Sequence, residues 1–424
     1  MKKVALFVFN HANADLRTHR QAHLLAHNGY DVRVYCFLEP GLPQREQRGG
    51  YLICREDQRS RLTRFFDDQI MRKIKSPKPP RQQVARLPPM PPDRKPVRPC
   101  PEPPPRHLPP DFLPGEEDYL AYVARINAVW TREASAWKPD ICQAQDLDAL
   151  QAACDTAQAV KARLVLDSHE LWSDQPFIRS QATVNYWDAL EARLVPHCQA
   201  IMTVNRPFAE VLHKRFQREI LVLHNCQEYQ PIPPKRKELK ERAGGRPVAL
   251  YQGVFGIDRG LEQLVASAQY QQEVVVALRG FGSAQAGLEH LAQGLDNVLL
   301  LERCAPEAMI QKAAEADMGV IPFLPTCLNH YLNTPNKMFE YMLAGLPISS
   351  ADLPDLRHFV QTEQMGNLFD PFSPSDIARA LVELWNDPDR EAKGSRAHEA
   401  CKRRWNWETE SRQLLECYKT LARL

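Results

Sequence analysis

The sequence predicts an α/β protein built from two doubly wound, Rossmann-like domains. Short apolar runs alternate with helical patterns in both halves of the chain, as in parallel sheets covered by helices. A stretch rich in Lys, Arg and Pro separates the halves, and 424 residues suffice for two or three domains. We predict a first domain at 1–228, a linker at 229–246, a second domain at 247–405 and a final helix at 406–424.

In the first half, the alternation begins with an apolar strand and continues through five strand–helix pairs. The predicted strands are 4–9, 32–37, 141–144, 164–167, 200–204 and 220–223. The predicted helices are 16–28, 116–137, 147–161, 184–195 and 207–216. Residues 77–114 interrupt the pattern with 16 prolines in 38 positions, so we expect an extended or disordered insertion there.

The second half repeats the alternation. The predicted strands are 248–252, 274–279, 298–301, 318–321 and 348–350. The predicted helices are 260–271, 283–294, 306–314, 336–343, 376–386 and 407–424.

Charge and cysteine content restrict the class of protein. Residues 1–110 carry 21 Lys/Arg against 10 Asp/Glu, a net of +11, which suggests an anionic partner on one side of the molecule. Residues 60–76 form a basic amphipathic pattern, and two interpretations stay open: a helix on an anionic membrane surface, or a helix packed on the sheet. Eleven scattered cysteines without metal-ligand spacing indicate free thiols in a cytoplasmic protein.

The segment 334–356 carries the strongest functional signal. Its apolar spacing predicts a short helix that starts at Asn336, where free N–H groups and the helix dipole favour an anion. Lys337 places a cation in the first turn, which is unfavourable unless an anion binds there. Glu340 lies on the same face, where its carboxylate can accept hydrogen bonds from sugar hydroxyls. An ordinary amphipathic helix is the alternative that periodicity leaves open.

The residues from Pro335 to Pro347 resemble the donor-binding helix of GT-B glycosyltransferases of family 4. The matching subgroup reads P-N-K-x-F-E-Y-M-x-A-G-x-P. Many relatives have two glutamates eight positions apart; Glu340 matches the second, and Leu332 stands at the first. The resemblance implies a GT-B fold, in which two Rossmann-like domains face each other across a cleft and the last helix crosses back to the first domain. It also implies that Thr334, Asn336 and Glu340 bind the donor.

Two glycine-containing loops follow predicted strands in the second half. Gly253 allows the backbone to approach a phosphate closely, and Arg259 can donate to a diphosphate. The loop resembles the family's glycine loop, although Val254 stands where many relatives have an arginine. The alternative is that Arg259 lies on a solvated helix end and binds no diphosphate. Gly280 belongs to a G-x-G turn that resembles the one near the nucleotide base, which is a weaker signal.

In the first half, His169 directly follows a predicted strand, at the edge of the sheet where α/β proteins bind ligands. The segment resembles the family's D-x-H-E motif, whose histidine faces the transferred sugar. Asp167 and Glu170 are candidates to fix its tautomer. Near the amino end, His11, Arg17 and Arg20 are candidates for the acceptor or phosphate side. For the two arginines, pairing with carboxylates is an equally open alternative.

Asp146 and Asp148 form a D-x-D pattern of the kind that holds a divalent metal in another glycosyltransferase fold. Because the pattern lies at a predicted helix start, we interpret these acids as helix caps and predict no metal and no cofactor.

Together, these features predict a retaining, metal-independent hexosyltransferase that uses a nucleoside diphosphate sugar. His169, Arg259 and Lys337 are the predicted catalytic residues. The predicted acceptor is a glycan, a lipid-linked glycan or a small molecule, with peripheral contact to an anionic membrane as a possibility and no nucleic-acid partner. A nucleotide-sugar 2-epimerase of the same fold and a non-catalytic scaffold are the alternatives.

Overall fold

The computed structural model describes residues 1–13, 15–39, 41–56 and 100–423. These residues form two compact units. Unit 1 contains the described residues up to 56, together with 105–225 and 408–423; unit 2 contains 100–104 and 226–407. The basic helix predicted at 60–76 and residues 77–99 of the proline-rich segment lie outside the described residues.

Unit 1 is built on an eight-stranded sheet with the order β3-β4-β2-β1-β5-β6-β7-β8. Its strands are β1 (Lys3–Val8), β2 (Asp31–Phe37), β3 (Arg45–Arg48), β4 (Tyr51–Glu56), β5 (Ile141–Gln145), β6 (Arg163–Ser168), β7 (Ala200–Thr203) and β8 (Leu221–Val222). Its helices are α1 (Leu16–His27), α2 (Glu116–Trp137), α3 (Leu150–Val160), α4 (Gln181–Leu194) and α5 (Arg206–Phe216). Only the β3–β4 pair is antiparallel, so the carboxyl ends of β1 and β5–β8 meet at one edge.

Unit 2 contains a six-stranded, fully parallel sheet with the order β11-β10-β9-β12-β13-β14. Its strands are β9 (Val248–Val254), β10 (Val275–Phe281), β11 (Val298–Leu301), β12 (Met318–Ile321), β13 (Ile348–Ala351) and β14 (Gly366–Phe369). Its helices are α6 (Glu238–Arg242), α7 (Leu261–Ser267), α8 (Gln285–Leu291), α9 (Met309–Ala313), α10 (Leu328–Tyr331), α11 (Lys337–Leu343), α12 (Pro354–Thr362), α13 (Pro374–Asn386) and α14 (Arg390–Arg403). The sheet strands are almost continuously apolar and buried, as expected where helices cover both faces.

The last helix, α15 (Trp407–Arg423), packs on unit 1, to which residues 408–423 belong. The buried Tyr418 hydroxyl donates to Gln143 Oε1 at 2.5 Å, and Leu414 is fully buried. The predicted crossing of the last helix to the first domain is therefore confirmed. So is the prediction of two parallel-sheet α/β domains.

The insertion predicted at 77–114 as extended or disordered is described from 100 to 114. These residues contain no helix or strand, but they are anchored. Cys100 is buried in the core of unit 2, and its N–H donates to Asp352 O. In unit 1, the Arg106 guanidinium donates to the main-chain carbonyls of Ser173, Gln175 and Ile178. Proline-rich composition rules out regular structure here, but individual side chains still fix the path of the chain.

The elements absent from the predicted set are strands β3, β4 and β14 and helices α6, α10, α12 and α14, and several of them are short or polar. Strand β3 reads R-E-Q-R and has no apolar alternation, and helix α14 is strongly polar along most of its length. Helix α6 has five residues and lies within the predicted linker.

All eleven cysteines lie in described residues and are free thiols, nine of them buried. Burial raises the pKa of the Cys36 and Cys198 thiols to about 12, so both stay neutral and behave as small apolar groups. Among the described residues, no helix has the length and apolar character needed to cross a membrane.

Candidate functional site

In unit 2, Arg259 and Lys337 bring two positive charges to one aromatic ring. The Arg259 guanidinium carbon lies 4.6 Å from the centre of the Phe323 ring, and Lys337 Nζ lies 4.7 Å from the same centre. Lys337 Nζ also lies 4.8 Å from the centre of the Tyr251 ring. These are cation–π contacts, which partly compensate a cation for lost water. The structure thus brings together Arg259 and Lys337, which lie 78 positions apart in the sequence.

The environment of Lys337 disfavours its charge. Burial, followed by the neighbouring Arg259 charge, lowers the pKa of the Lys337 ammonium to about 7, and Glu340 offsets only part of this change. The side chain is 9% exposed. At neutral pH a large fraction of Lys337 is therefore uncharged until an anion arrives, which is an unusual state for a lysine.

Gly253, at the end of β9, leaves room beside Lys337. Its φ of +140° lies where side chains are rarely tolerated, and an added Cβ would sit 3.6 Å from Lys337 Nζ. Gly280 lies opposite Gly253 in the β9–β10 pair, and an added Cβ would meet Gly253 O at 1.8 Å. Glycine is therefore needed at 280 because strands β9 and β10 are in close contact there. The predicted position of Gly280 near a nucleotide base stays a prediction.

Glu340 is buried on α11 and already accepts a hydrogen bond. Gln252 Nε2 donates to Glu340 Oε2 at 3.0 Å, and the main-chain N–H of Gln252 donates to Tyr341 Oη at 2.9 Å. Tyr341 is itself held against Gly319, where an added Cβ would lie 2.3 Å from its ring. This packing fixes the position of the carboxylate. Whether Glu340 binds a ribose stays a prediction.

The predicted anion site at the helix start needs a correction. Helix α11 has only seven residues, so its dipole is weak. The N–H groups of Met338 and Phe339 are already bonded to the carbonyls of Pro335 and Asn336. These two N–H groups are therefore not free to bind an anion, which leaves the side-chain charges near Phe323 as the main candidates for that role.

The other two predicted donor-binding residues lie at the same helix start. The Thr334 hydroxyl donates to the Asp355 carboxylate and is buried. Asn336 is exposed immediately before α11. Sequence reasoning missed Tyr251, Gln252 and Phe323, which follow or end buried strands. The only signal for them was that they lie in or shortly after buried strands.

In unit 1, His169 follows β6 and is held by three side chains. Its Nε2 lies 2.9 Å from Gln145 Oε1 and 3.3 Å from Asp167 Oδ2, and its Nδ1 lies 3.3 Å from Asp146 Oδ2. Burial alone would lower the pKa of His169, but the Asp146 and Asp167 carboxylates outweigh it and raise the pKa to about 9. The ring is therefore a cation at neutral pH and cannot serve as a general base.

Asp146 occupies the N-cap position of the short 3₁₀ helix Leu147–Ala149, but its side chain makes no capping hydrogen bond, so the interpretation of 146–148 as caps is wrong for this residue. Its φ of +71° is strained for a non-glycine residue, and its Oδ1 accepts the His169 N–H at 2.6 Å. Asp148 is buried, and burial followed by the Asp146 charge raises its pKa well above the ordinary value. Among the described residues, no three His, Cys, Asp or Glu side chains are grouped as metal ligands.

For Arg17, the structure favours the carboxylate alternative. Its Nε and Nη2 donate to Asp167 at 2.9 and 2.7 Å, and its Nη1 donates to Leu223 O at 2.8 Å. Burial alone would raise the pKa of Asp167, but Arg17 and His169 hold it well below its usual value. A phosphate would have to compete with this bidentate pair, and a place for Arg17 on the phosphate side stays an untested prediction.

The remaining two candidates of unit 1 lie close to the same edge. Arg20 donates to Asn225 Oδ1, and its role as a phosphate ligand stays a prediction. His11 is exposed and packs edge-on against Phe37, with ring centres 5.8 Å apart.

Solved structures similar to this chain share one fold. The sucrose-phosphate synthase from Thermosynechococcus elongatus has a TM-score of 0.75 and 16% identity, with 99% of each chain covered. Anabaena Alr3699/HepE in complex with UDP-glucose has a TM-score of 0.67 and 15% identity, covering 99% of this chain and 100% of that one. The alpha,alpha-trehalose 6-phosphate synthase from Burkholderia multivorans has a TM-score of 0.66 and 12% identity, covering 99% and 97%. At these identities the likeness shows the fold alone.

Family models identify the chain. No match was found among curated proteins. A model of the glycosyl transferase 4-like domain matches residues 14–226, which is half of the chain, and a model of glycosyl transferases group 1 matches residues 246–387. The chain therefore belongs to the glycosyl transferase 4-like family and is a glycosyltransferase with the GT-B fold.

Proposed function

We propose that this glycosyltransferase moves a hexose from a nucleoside diphosphate sugar to an acceptor, with retention of configuration and without a metal ion. The observation that carries the proposal is the pair Arg259 and Lys337, whose charged groups both lie against the Phe323 ring. A compact dianionic group between them would relieve their mutual repulsion. The diphosphate of an activated sugar has the matching charge.

The charge balance of unit 2 supports this assignment. Near the two cations, Glu340 is the carboxylate that stabilises Lys337, and its Oε2 is shared with Gln252. When Lys337 is protonated, two cations against one carboxylate leave an excess positive charge in a region partly removed from water, where charge interactions are strong. The free-energy cost of this uncompensated charge is typical of a ligand site rather than of a structural ion pair.

The same pair explains how the reaction would proceed without a metal. When the bond from the anomeric carbon to the phosphate oxygen breaks, negative charge grows on the diphosphate. Arg259 and Lys337 are already in place to stabilise that charge, which is the role a divalent cation has in other transferases. In line with the family resemblance, the acceptor hydroxyl attacks from the face that the diphosphate leaves, and we assign no nucleophilic carboxylate.

For His169 we propose a positioning role toward the transferred sugar. Because Gln145, Asp146 and Asp167 surround both ring nitrogens, the ring is fixed in orientation and positively charged near neutral pH. A fixed imidazolium can attract a partly negative oxygen of the sugar or acceptor, but it cannot remove a proton. The proposal therefore excludes His169 as the base that activates the acceptor.

Donor and acceptor are proposed at the level of chemical class. Anabaena Alr3699/HepE has been solved with UDP-glucose and with UDP, so UDP-glucose is the first donor to test. The basic character of residues 1–110 favours an anionic acceptor, such as a lipid-linked or growing surface polysaccharide at the cytoplasmic face of a membrane. Product analysis distinguishes transfer from 2-epimerisation, because epimerisation needs no second substrate.

A thermal-shift panel of UDP, GDP, ADP, CMP and dTDP tests the proposed function. The nucleotide that leaves in the reaction should raise the melting temperature strongly, because binding at a hundred times its Kd adds about 2.7 kcal/mol to the free energy of unfolding. The other nucleotides should have little effect. If none of the five raises the melting temperature, the nucleotide-sugar assignment is wrong.

Replacing Lys337 by Ala should reduce kcat by about 100- to 1,000-fold, the usual loss for one fixed donor to a developing charge. Steady-state kinetics with the identified donor measures the effect. Lys402→Ala is the matched control, since that lysine is 60% exposed and pairs with Glu399 at 3.6 Å. An unchanged kcat in a folded Lys337→Ala protein would remove this residue from the reaction.

Treatment with EDTA should leave the transfer rate unchanged, because the proposed charge stabilisation comes from side chains. A metal-dependent glycosyltransferase assayed in parallel controls for effective chelation. Loss of activity that added manganese restores would show that the reaction needs a metal after all.

A further inference from the structure

His330 is a buried histidine beside the Arg259–Lys337 pair that the proposed function does not yet use. It lies on the short helix α10 and is 2% exposed. Its ring centre is 5.8 Å from the centre of Phe323, the ring that both cations contact. Across the residues that the structure describes, no group forms a hydrogen bond with His330 Nδ1.

An unpaired nitrogen in this position is unusual. Buried polar atoms almost always have a hydrogen-bond partner, and leaving one without a partner costs about 1–3 kcal/mol. A packed apolar residue would avoid that cost. Other buried side-chain atoms of the described residues also lack a partner, but His330 lies against the Phe323 ring that both cations contact, which favours a partner that binds from outside the chain.

The ionisation state of the ring decides what kind of partner fits. Burial, and then the Arg259 charge, lower the pKa of His330 to about 4, so the ring is neutral near pH 7. The Leu324 main chain favours the protonated ring. Because Nδ1 forms no hydrogen bond, we assign the ring proton to Nε2, which leaves Nδ1 with a free lone pair. Nδ1 is thus an acceptor, and it requires a donor.

A hydrogen-bond acceptor beside the two cations would bind some parts of a nucleoside diphosphate sugar and not others. Phosphate oxygens carry no proton at neutral pH, so Nδ1 would repel them rather than bind them. The hydroxyl groups of the hexose and the ribose are donors of the right kind. We propose that His330 Nδ1 accepts a hydrogen bond from a hydroxyl group of the bound donor substrate, next to the two cations that bind its diphosphate. This inference rests on the proposed function and adds a residue that recognises the sugar rather than its charge.

The test compares two substitutions at this position. His330→Phe keeps an aromatic ring of similar size but removes the acceptor. His330→Asn keeps an amide oxygen near the place of Nδ1. Exposed His290 on α8 provides the control substitution, His290→Phe.

Calorimetry would measure the binding of three probes that contain increasing parts of the substrate. The probes are inorganic pyrophosphate, the nucleoside diphosphate that gives the largest thermal shift, and the glucose and mannose esters of that nucleotide. We expect His330→Phe to bind pyrophosphate like wild type and to lose about tenfold in affinity at the probe that first carries the contacted hydroxyl. Loss at the nucleoside diphosphate identifies a ribose hydroxyl, and loss only at the esters identifies a hexose hydroxyl. His330→Asn should stay within a few-fold of wild type.

The melting temperature without ligand is an independent measurement. Because Nδ1 has no partner in the free protein, His330→Phe should melt at the same temperature as wild type or higher. A marked fall would reveal a structural partner and overturn the proposal. Equal affinity of wild type and His330→Phe for every probe, or equal loss for all probes including pyrophosphate, would overturn it as well. If wild type itself binds no probe, the proposed function fails together with this inference.

Discussion

The chemistry that we propose for this glycosyltransferase depends on one electrostatic constraint: two cations share one aromatic ring in a region partly removed from water. Arg259 comes from the loop after β9, and Lys337 comes from the start of α11. Their charges repel each other, and the Phe323 ring provides only weak compensation. Unit 2 keeps this unfavourable arrangement because β9, β12 and α11 are packed tightly around it. A bound anion is the simplest way to lower its energy.

Several features of unit 2 follow from the same constraint. The missing side chain at Gly253 leaves space beside the lysine, and the Gln252–Glu340 hydrogen bond places a single carboxylate nearby. The neutral ring of His330 adds an acceptor that does not compete for the anion. Unit 1 also contains a cation, whose charge is compensated in a different way. There the cation is His169, and the carboxylates of Asp146 and Asp167 stabilise its charge permanently.

Periodicity predicted most of the fold but only part of the site. Strands such as β9 and helices such as α2 were predicted to within two residues, because each buries an apolar pattern that is local in sequence. Motif resemblance identified Lys337 and Arg259. Phe323, Gln252 and His330 were missed, because their roles arise from tertiary contacts that residue order and periodicity do not show. Likewise, the strained backbone that turns Asp146 toward His169 leaves no signal in residue order.

The titration of Lys337 tests this account most directly. The ε-amino pKa is measurable by NMR on protein with isotope-labelled lysine, with Lys337→Arg used to assign the signal. Without ligand, the account predicts a pKa of about 7, against an ordinary value of 10.5. Saturation with the nucleoside diphosphate should raise it, because a neighbouring anion favours the charged form. An ordinary pKa in the free protein, or a pKa that the ligand leaves unchanged, would contradict the idea that a crowded pair of cations awaits a diphosphate.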